Sequence, residues 1–154
     1  MTGMTMSLDV TPASVPEGIT RAQAMLSRQR PTPMEDTLGY ALVEISDGRA
    51  VFAGTPGHHV LNPMGIAHGG YAAALLDSAC GIALLTRLSA GQRFSTLEIK
   101  VAYHKVIDEQ TGEVRAEGTL MTMGRQIAYA EARLTNADGR LLASATSTLM
   151  IVSP

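Results

Sequence analysis

The sequence predicts an α+β domain in which a curved antiparallel sheet wraps one long buried helix, and three observations carry that prediction. The segment Tyr71–Leu85 holds a single charge, Asp77, and is apolar on nearly every face, the pattern of a helix buried all round. It is too short for a bilayer, which needs about 20 apolar residues. Immediately afterwards the hydrophobic period changes to two, with Ser95, Leu97, Ile99, Val101 and Tyr103 alternating against Thr96, Glu98, Lys100 and Ala102. Finally, the later strands are joined by short turns, which favours antiparallel neighbours.

Taken in order, Glu17–Arg30 reads as a short helix with Ile19, Ala22, Met25 and Leu26 at helical spacing, stopped by Pro31 and Pro33. Thr37–Ser46 is strand-like, and Asp47-Gly48 is a two-residue hairpin signal into Arg49–Ala53. A Gly, Pro and His loop spans Gly54–Ala67 and leads into the long helix. Beyond the first alternating strand, Gly112–Met123 and Gln126–Asn136 are the next two, and Ala137-Asp138-Gly139 turns into the fourth, Arg140–Val152. One buried helix with one sheet available to cover it requires that sheet to curve.

Composition narrows the partners. The chain has 154 residues with 14 acidic and 12 basic side chains, a length suited to one domain that buries roughly 70% of its unfolded surface. Lys100 and Lys105 are its two lysines, and no basic stripe is present to hold nucleic acid or a membrane surface. A single cysteine, Cys80, leaves no internal disulfide and no cysteine-based zinc site. The histidines fall at no metal-ligand spacing, so no metal is expected. Residues 1–17 have no basic start followed by an apolar run and read as a loose arm rather than a secretory signal. The domain is therefore expected over 18–154, in the cytoplasm. The 21 alanines and 15 glycines, against 4% aromatic residues, call for close backbone approach somewhere in the core.

Asp77 is the first candidate for chemistry. An ionised carboxylate in an apolar helix is costly unless it is paired, protonated or opened to a cavity. Its neighbours one turn away, Ala73, Ala74, Cys80 and Gly81, are small and leave room for a ligand or a facing backbone. Asp77 is either a tuned catalytic group or a structural carboxylate that caps a nearby loop. The run Asn62-Pro63-Met64-Gly65-Ile66-Ala67-His68-Gly69-Gly70 enters the same helix. Bare N–H groups at a helix start, at the positive end of the dipole, suit a developing oxyanion, although a Gly-Gly pair also serves tight packing. Ser95 shares the strand face of Leu97, Ile99 and Val101, which is expected to meet the helix, so its hydroxyl is either a partner of Asp77 or a satisfied core serine. Cys80 has no base beside it in sequence and reads as pocket lining or packing.

Gly69 and Asp77 stand eight residues apart, about 12 Å along a helix. An oxyanion donor and a carboxylate acting on one carbonyl must both lie within a few Å of it. Either one of the two is not catalytic, or two antiparallel helices from two subunits complete each other's site.

The pattern N-P-x-G-x-x-H-G-G, a small-residue helix with Asp, then S-T-x-E-I-K-V-x-Y, M-G-R and D-G-R-L-L-A resembles the hotdog-fold acyl-coenzyme A thioesterases of the phenylacetic-acid-degradation (PaaI-like) type over Thr37–Val152. The resemblance implies the hotdog fold and hydrolysis of an aryl- or medium-chain acyl-coenzyme A. It implies a homodimer, often paired into a tetramer, and no cofactor beyond the coenzyme A of the substrate. It assigns Asp77 as general base or nucleophile, Asn62 to position the water or thioester, Gly69 to supply the oxyanion N–H, and Ser95 to assist the carboxylate. Asp77 and Ser95 would come from one subunit, and Asn62, His68 and Gly69 from the other. His68 is either a substrate contact or a helix-entry residue. Gly70, Ala73 and Gly81 line the substrate path, and Gly124 and Arg125 match the family pattern where a coenzyme A phosphate would be met. Gly81 departs from some related aryl-thioesterases, which hold a Thr there. A thiolate of pKa about 8.5 leaves with little help, so one carboxylate, one oxyanion donor and one orienting group suffice. The alternatives are a non-catalytic acyl-thioester-binding or regulatory protein, favoured if Asp77 is ion-paired and walled off, and an acyl-thioester dehydratase. The dehydratase pattern needs a His in a Pro-rich loop, which Gly57-His58-His59-Val60 does not reproduce.

Overall fold

The computed structural model describes residues 16–154, so all but the last two residues of the expected arm lie outside the described residues. Helix α1 (Glu17–Leu26) opens the described chain, with α2 (Pro33–Leu38) after it. Strands β1 (Tyr40–Ser46) and β2 (Arg49–Gly54) form the predicted hairpin, and a 3-10 turn at His58–Val60 lies in the following loop. The long helix α3 (Gly69–Leu85) is followed by β3 (Arg93–Tyr103), β4 (Val114–Met123), β5 (Ile127–Asn136) and β6 (Leu141–Val152). The six strands form one antiparallel sheet in the order β1-β2-β4-β5-β6-β3. Helix α3 touches every strand of it, as only a sheet curved around the helix allows. This is the expected hotdog architecture.

Close approach explains the small residues. Ala116, Ala128, Ala130, Ala132, Ala143 and Ala145 are buried on the inner face of β4–β6. A Cβ on Gly118 would lie 2.3 Å from the Ala79 carbonyl carbon, so α3 rests directly on the backbone of β4. Gly18 does the same for α1. Its N–H donates to the Leu88 carbonyl at 3.0 Å, and a Cβ there would sit 2.0 Å from the Leu85 carbonyl oxygen. Gly18, the first residue of the expected domain, is thus packed against the chain at the end of α3.

Three local expectations are corrected. The first helix ends at Leu26 rather than Arg30. Pro33 does not merely stop a helix but occupies the first turn of α2, where its missing N–H costs nothing. The Thr32 N–H donates to the Glu35 carboxylate at 2.6 Å, which reinforces that start. Gly39, at φ 69°, ends α2 in the left-handed region, so Thr37 and Leu38 are helical and β1 begins at Tyr40. The third correction bears on the site. Strand β3 carries a bulge between Thr96 and Glu98 in its pairing with β6. An extra residue exchanges the two faces of a strand. Phe94 and Thr96 face inward before the bulge and Ile99 and Val101 after it, whereas Ser95 and Leu97 are exposed.

Candidate active site

The α3 entry is built from the loop before it. The Asn62 Oδ1 accepts from the Met64 N–H at 2.9 Å and the Ile66 N–H at 3.4 Å, and Gly65 takes φ 77° to close the turn. The amide oxygen of Asn62 is thus committed to the loop, and its Nδ2 has no partner among the described residues. The Ala67 and His68 N–H groups donate to Ile107 and Val60 carbonyls at 2.8 Å each, which ties the loop to the body of the domain. His68 is the N-cap of α3: its Nδ1 accepts from the Gly70 N–H at 3.0 Å. That bond assigns the ring proton to Nε2 and supports the helix-entry reading of His68. The Tyr103 hydroxyl donates to the Gly69 carbonyl at 2.9 Å, and a Cβ on Gly69 would sit 2.9 Å from the same hydroxyl. Gly69 is therefore held by its carbonyl, and its N–H, at the first helical position, has no acceptor among the described residues. Asn62, His68, Gly69 and Tyr103 border a cavity of about 360 Å³.

Asp77 lies on a different cavity. Its Oδ1 accepts from the Thr96 hydroxyl at 2.9 Å, and no basic side chain pairs with it among the described residues. The bulge brings Thr96, not Ser95, to the carboxylate, so the predicted hydroxyl is found one residue later. Asp77, Thr96, Gly81, Phe94, Ser78 and Tyr40 border a cavity of about 270 Å³. The Tyr40 hydroxyl and Ser78 Oγ are hydrogen-bonded at 3.1 Å. Burial pushes the Tyr40 hydroxyl above its ordinary pKa against the opposing effect of that bond, and the Glu35 and Asp77 charges add to the rise. Gly81 is under the Phe94 ring, and a Cβ there would lie 2.7 Å from Phe94 Cε2. The Thr found at this position in some related enzymes would collide with that ring.

The remaining candidates are dispersed. Ala73 is half-buried one turn before Asp77 and borders neither cavity. Gly70 is exposed beside its cap. Gly124 and Arg125 are exposed in the β4–β5 turn, where the Gly124 N–H donates to the Ile127 carbonyl at 2.8 Å. Cys80 is buried, and burial, with the Asp77 and Glu131 charges adding, pushes its thiol up to about 12; such a thiol is no nucleophile. Among the described residues no three His, Cys, Asp or Glu side chains gather as a metal site, and no helix is long and apolar enough to cross a membrane.

Sequence reasoning missed Thr96, Tyr40, Ser78 and Phe94. The adjacent hydroxyls of Ser95 and Thr96 were the one readable signal, and strict alternation selects the wrong member of the pair.

Residues 64–143, just over half of the chain and spanning the α3 entry, Asp77 and Thr96, match the model of the thioesterase superfamily. This chain belongs to the thioesterase superfamily. Superfamily membership makes thioester hydrolysis the reaction its site has to explain. Among solved structures, the phenylacetic acid degradation protein PaaI from Thermus thermophilus is 28% identical, with 77% of this chain and 97% of that one aligned at a TM-score of 0.69. A thioesterase family protein from Silicibacter pomeroyi (24% identity, 89% and 99% covered, TM-score 0.78) shares the fold. So does a thioesterase from Haemophilus influenzae (19% identity, 88% and 90% covered, TM-score 0.75). No curated protein matches the sequence.

Proposed function

We propose that this superfamily member is an acyl-coenzyme A thioesterase whose active sites are shared across a two-fold dimer. The observation that carries the reading is the environment of Asp77. Its carboxylate is oriented by one hydroxyl, free of any cation among the described residues, and open to a cavity. A sensor that uses Asp77 structurally would pair it and wall it off. Asp77 activates water, or attacks directly, at the thioester carbonyl, and Thr96 takes the assisting role expected of Ser95. The Gly69 N–H receives the oxyanion, strengthened by the helix dipole, and Asn62 Nδ2 holds the water or the thioester. Gly81 lies along the substrate path in the Asp77 cavity, and Gly124 and Arg125 receive the coenzyme A phosphates. The thiolate departs without a general acid, so no cofactor is required.

The two halves of this machinery border separate cavities within one chain, and about 12 Å of helix lies between them. A two-fold partner resolves the separation by laying a second α3 antiparallel to the first. Strand β3 supports that arrangement. It is an eleven-residue edge strand with one side unpaired, an open template for pairing with a copy of itself. The outer-face residues Ile127, Tyr129, Met150 and Val152 are exposed and apolar and offer a surface on which two dimers associate into a tetramer. The enzyme acts in the cytoplasm on a small-molecule acyl-coenzyme A with an aryl or medium-chain acyl group. Thiol release from a panel of aryl, short and long acyl-coenzyme A esters tests the reading. Turnover of at least one class is the expected result, and no release from any member by a folded protein overturns it.

A further inference from the structure

The Asp77 cavity is completed by a segment outside the superfamily match. Met25 from the end of α1, Thr32 from the connection, and Met34 and Glu35 from α2 form its far wall. Met25, Glu35 and Tyr40 also border a second cavity of about 530 Å³, so these side chains are shared between two adjoining spaces. The wall is tied near its ends, by the Arg21 guanidinium donating to the Gln92 carbonyl at 2.7 Å and by the 3.2 Å contact of His59 Nε2 with the Leu38 carbonyl. No residue of α2 between those ties is buried. Methionine is flexible and polarizable and adapts to the shape it meets. At about 270 Å³, the cavity lies near the lower end of the ~300–1,000 Å³ typical of drug-sized ligand pockets, so the side chains of its wall bear on the size of the acyl group it admits.

Charge adds a second filter. Glu35 and Asp77 both border this cavity, no cation pairs with either among the described residues, and both charges reach the Tyr40 hydroxyl between them. One Glu35 oxygen is held by the Thr32 N–H, which keeps the carboxylate at the wall. An acyl group ending in a carboxylate would enter a space already holding two negative charges.

We propose that the α1–α2 segment sets acyl specificity: Met25 and Met34 limit the size of the acyl group, and Glu35 rejects acyl groups that carry a carboxylate. The proposal rests on the assignment of Asp77 as the reacting carboxylate and adds the wall that the acyl group meets. The test measures kcat/KM for straight-chain acyl-coenzyme A esters of increasing length, and for glutaryl-coenzyme A against pentanoyl-coenzyme A. The proteins are wild type, Met25→Ala, Met34→Ala, Met34→Trp and Glu35→Gln. Alanine at 25 or 34 is expected to raise the long-to-short ratio about tenfold, and tryptophan at 34 to lower it, since one methylene in an apolar pocket is worth about 10–200-fold. Glu35→Gln keeps an acceptor for the Thr32 N–H, and it is expected to raise the glutaryl-to-pentanoyl ratio about tenfold. Ratios within one variant are insensitive to how much of it folds. Wild-type ratios in all four variants overturn this inference while leaving the thioesterase reading intact, whereas a wild type that hydrolyses no ester overturns both.

Discussion

Asp77 and Thr96 show how a difference of one residue decides a site. The alternation of β3 assigns Ser95 to the inner face, but the bulge after Thr96 reverses the strand's faces and brings the Thr96 hydroxyl to 2.9 Å from the carboxylate. Two predictions follow at this scale. Asp77→Ala is expected to lower kcat on a coenzyme A thioester by about 100-fold or more, the usual contribution of a positioned base, as read by steady-state thiol release from folded protein. Thr96→Val, which keeps the shape and removes the hydroxyl, is expected to cost about tenfold, the scale of a hydrogen bond to a charged group, while Ser95→Ala stays within about twofold. A larger loss at Ser95 than at Thr96 would show that alternation, not the bulge, describes β3. Gly81 belongs to the same scale, since its missing side chain is what allows the Phe94 ring to close the cavity floor.

At the scale of elements, α3 is defined by what it lacks. Its alanines and glycines make it a poor surface helix but permit contact with the β4 backbone, where Gly118 meets the Ala79 carbonyl. Gly118→Ala is therefore expected to destabilise the fold by about 1–3 kcal/mol, the cost of overpacking a filled core. Equilibrium urea unfolding measures this, and an unchanged midpoint would mean the helix can move off the sheet freely. The long elements were legible in the sequence because each has a sustained period, 3.6 in α1 and 2 in the later strands, or an unbroken apolar run in α3. Helix α2 was not, because its six residues carry no period and the flanking prolines are also the usual stop signal of a preceding helix. The run Thr32-Pro33-Met34-Glu35 nevertheless carries a capping-box signature with Pro at the first helical position, which the structure shows as a helix start.

For the whole molecule, the separation of Gly69 from Asp77 makes a single chain an incomplete catalyst in our proposal. Asp77→Ala and Asn62→Ala proteins are each expected to be nearly inactive as homodimers. Mixed after dissociation and reassociated, they form heterodimers in which one of the two sites is intact, and activity is expected to return. A site contained within one chain predicts no recovery. The exposed outer face of β5–β6 and the free edge of β3 are both surfaces of the assembled sheet, invisible until strands distant in sequence are neighbours.

The sequence by itself determined that a buried acidic helix would be enclosed by an antiparallel sheet, and that a glycine-rich helix entry would stand about 12 Å from the acid. Those properties are local, set by side-chain periodicity and by helical rise. Tertiary structure alone decided which hydroxyl holds Asp77, that Phe94 fills the space above Gly81, and that α1–α2 walls the cavity with Met25, Met34 and Glu35. Each of these depends on a contact between segments far apart in the chain. A bulge, a missing Cβ or a capped six-residue helix leaves no periodic trace, since its energy arises from the neighbour it meets rather than from the residues beside it.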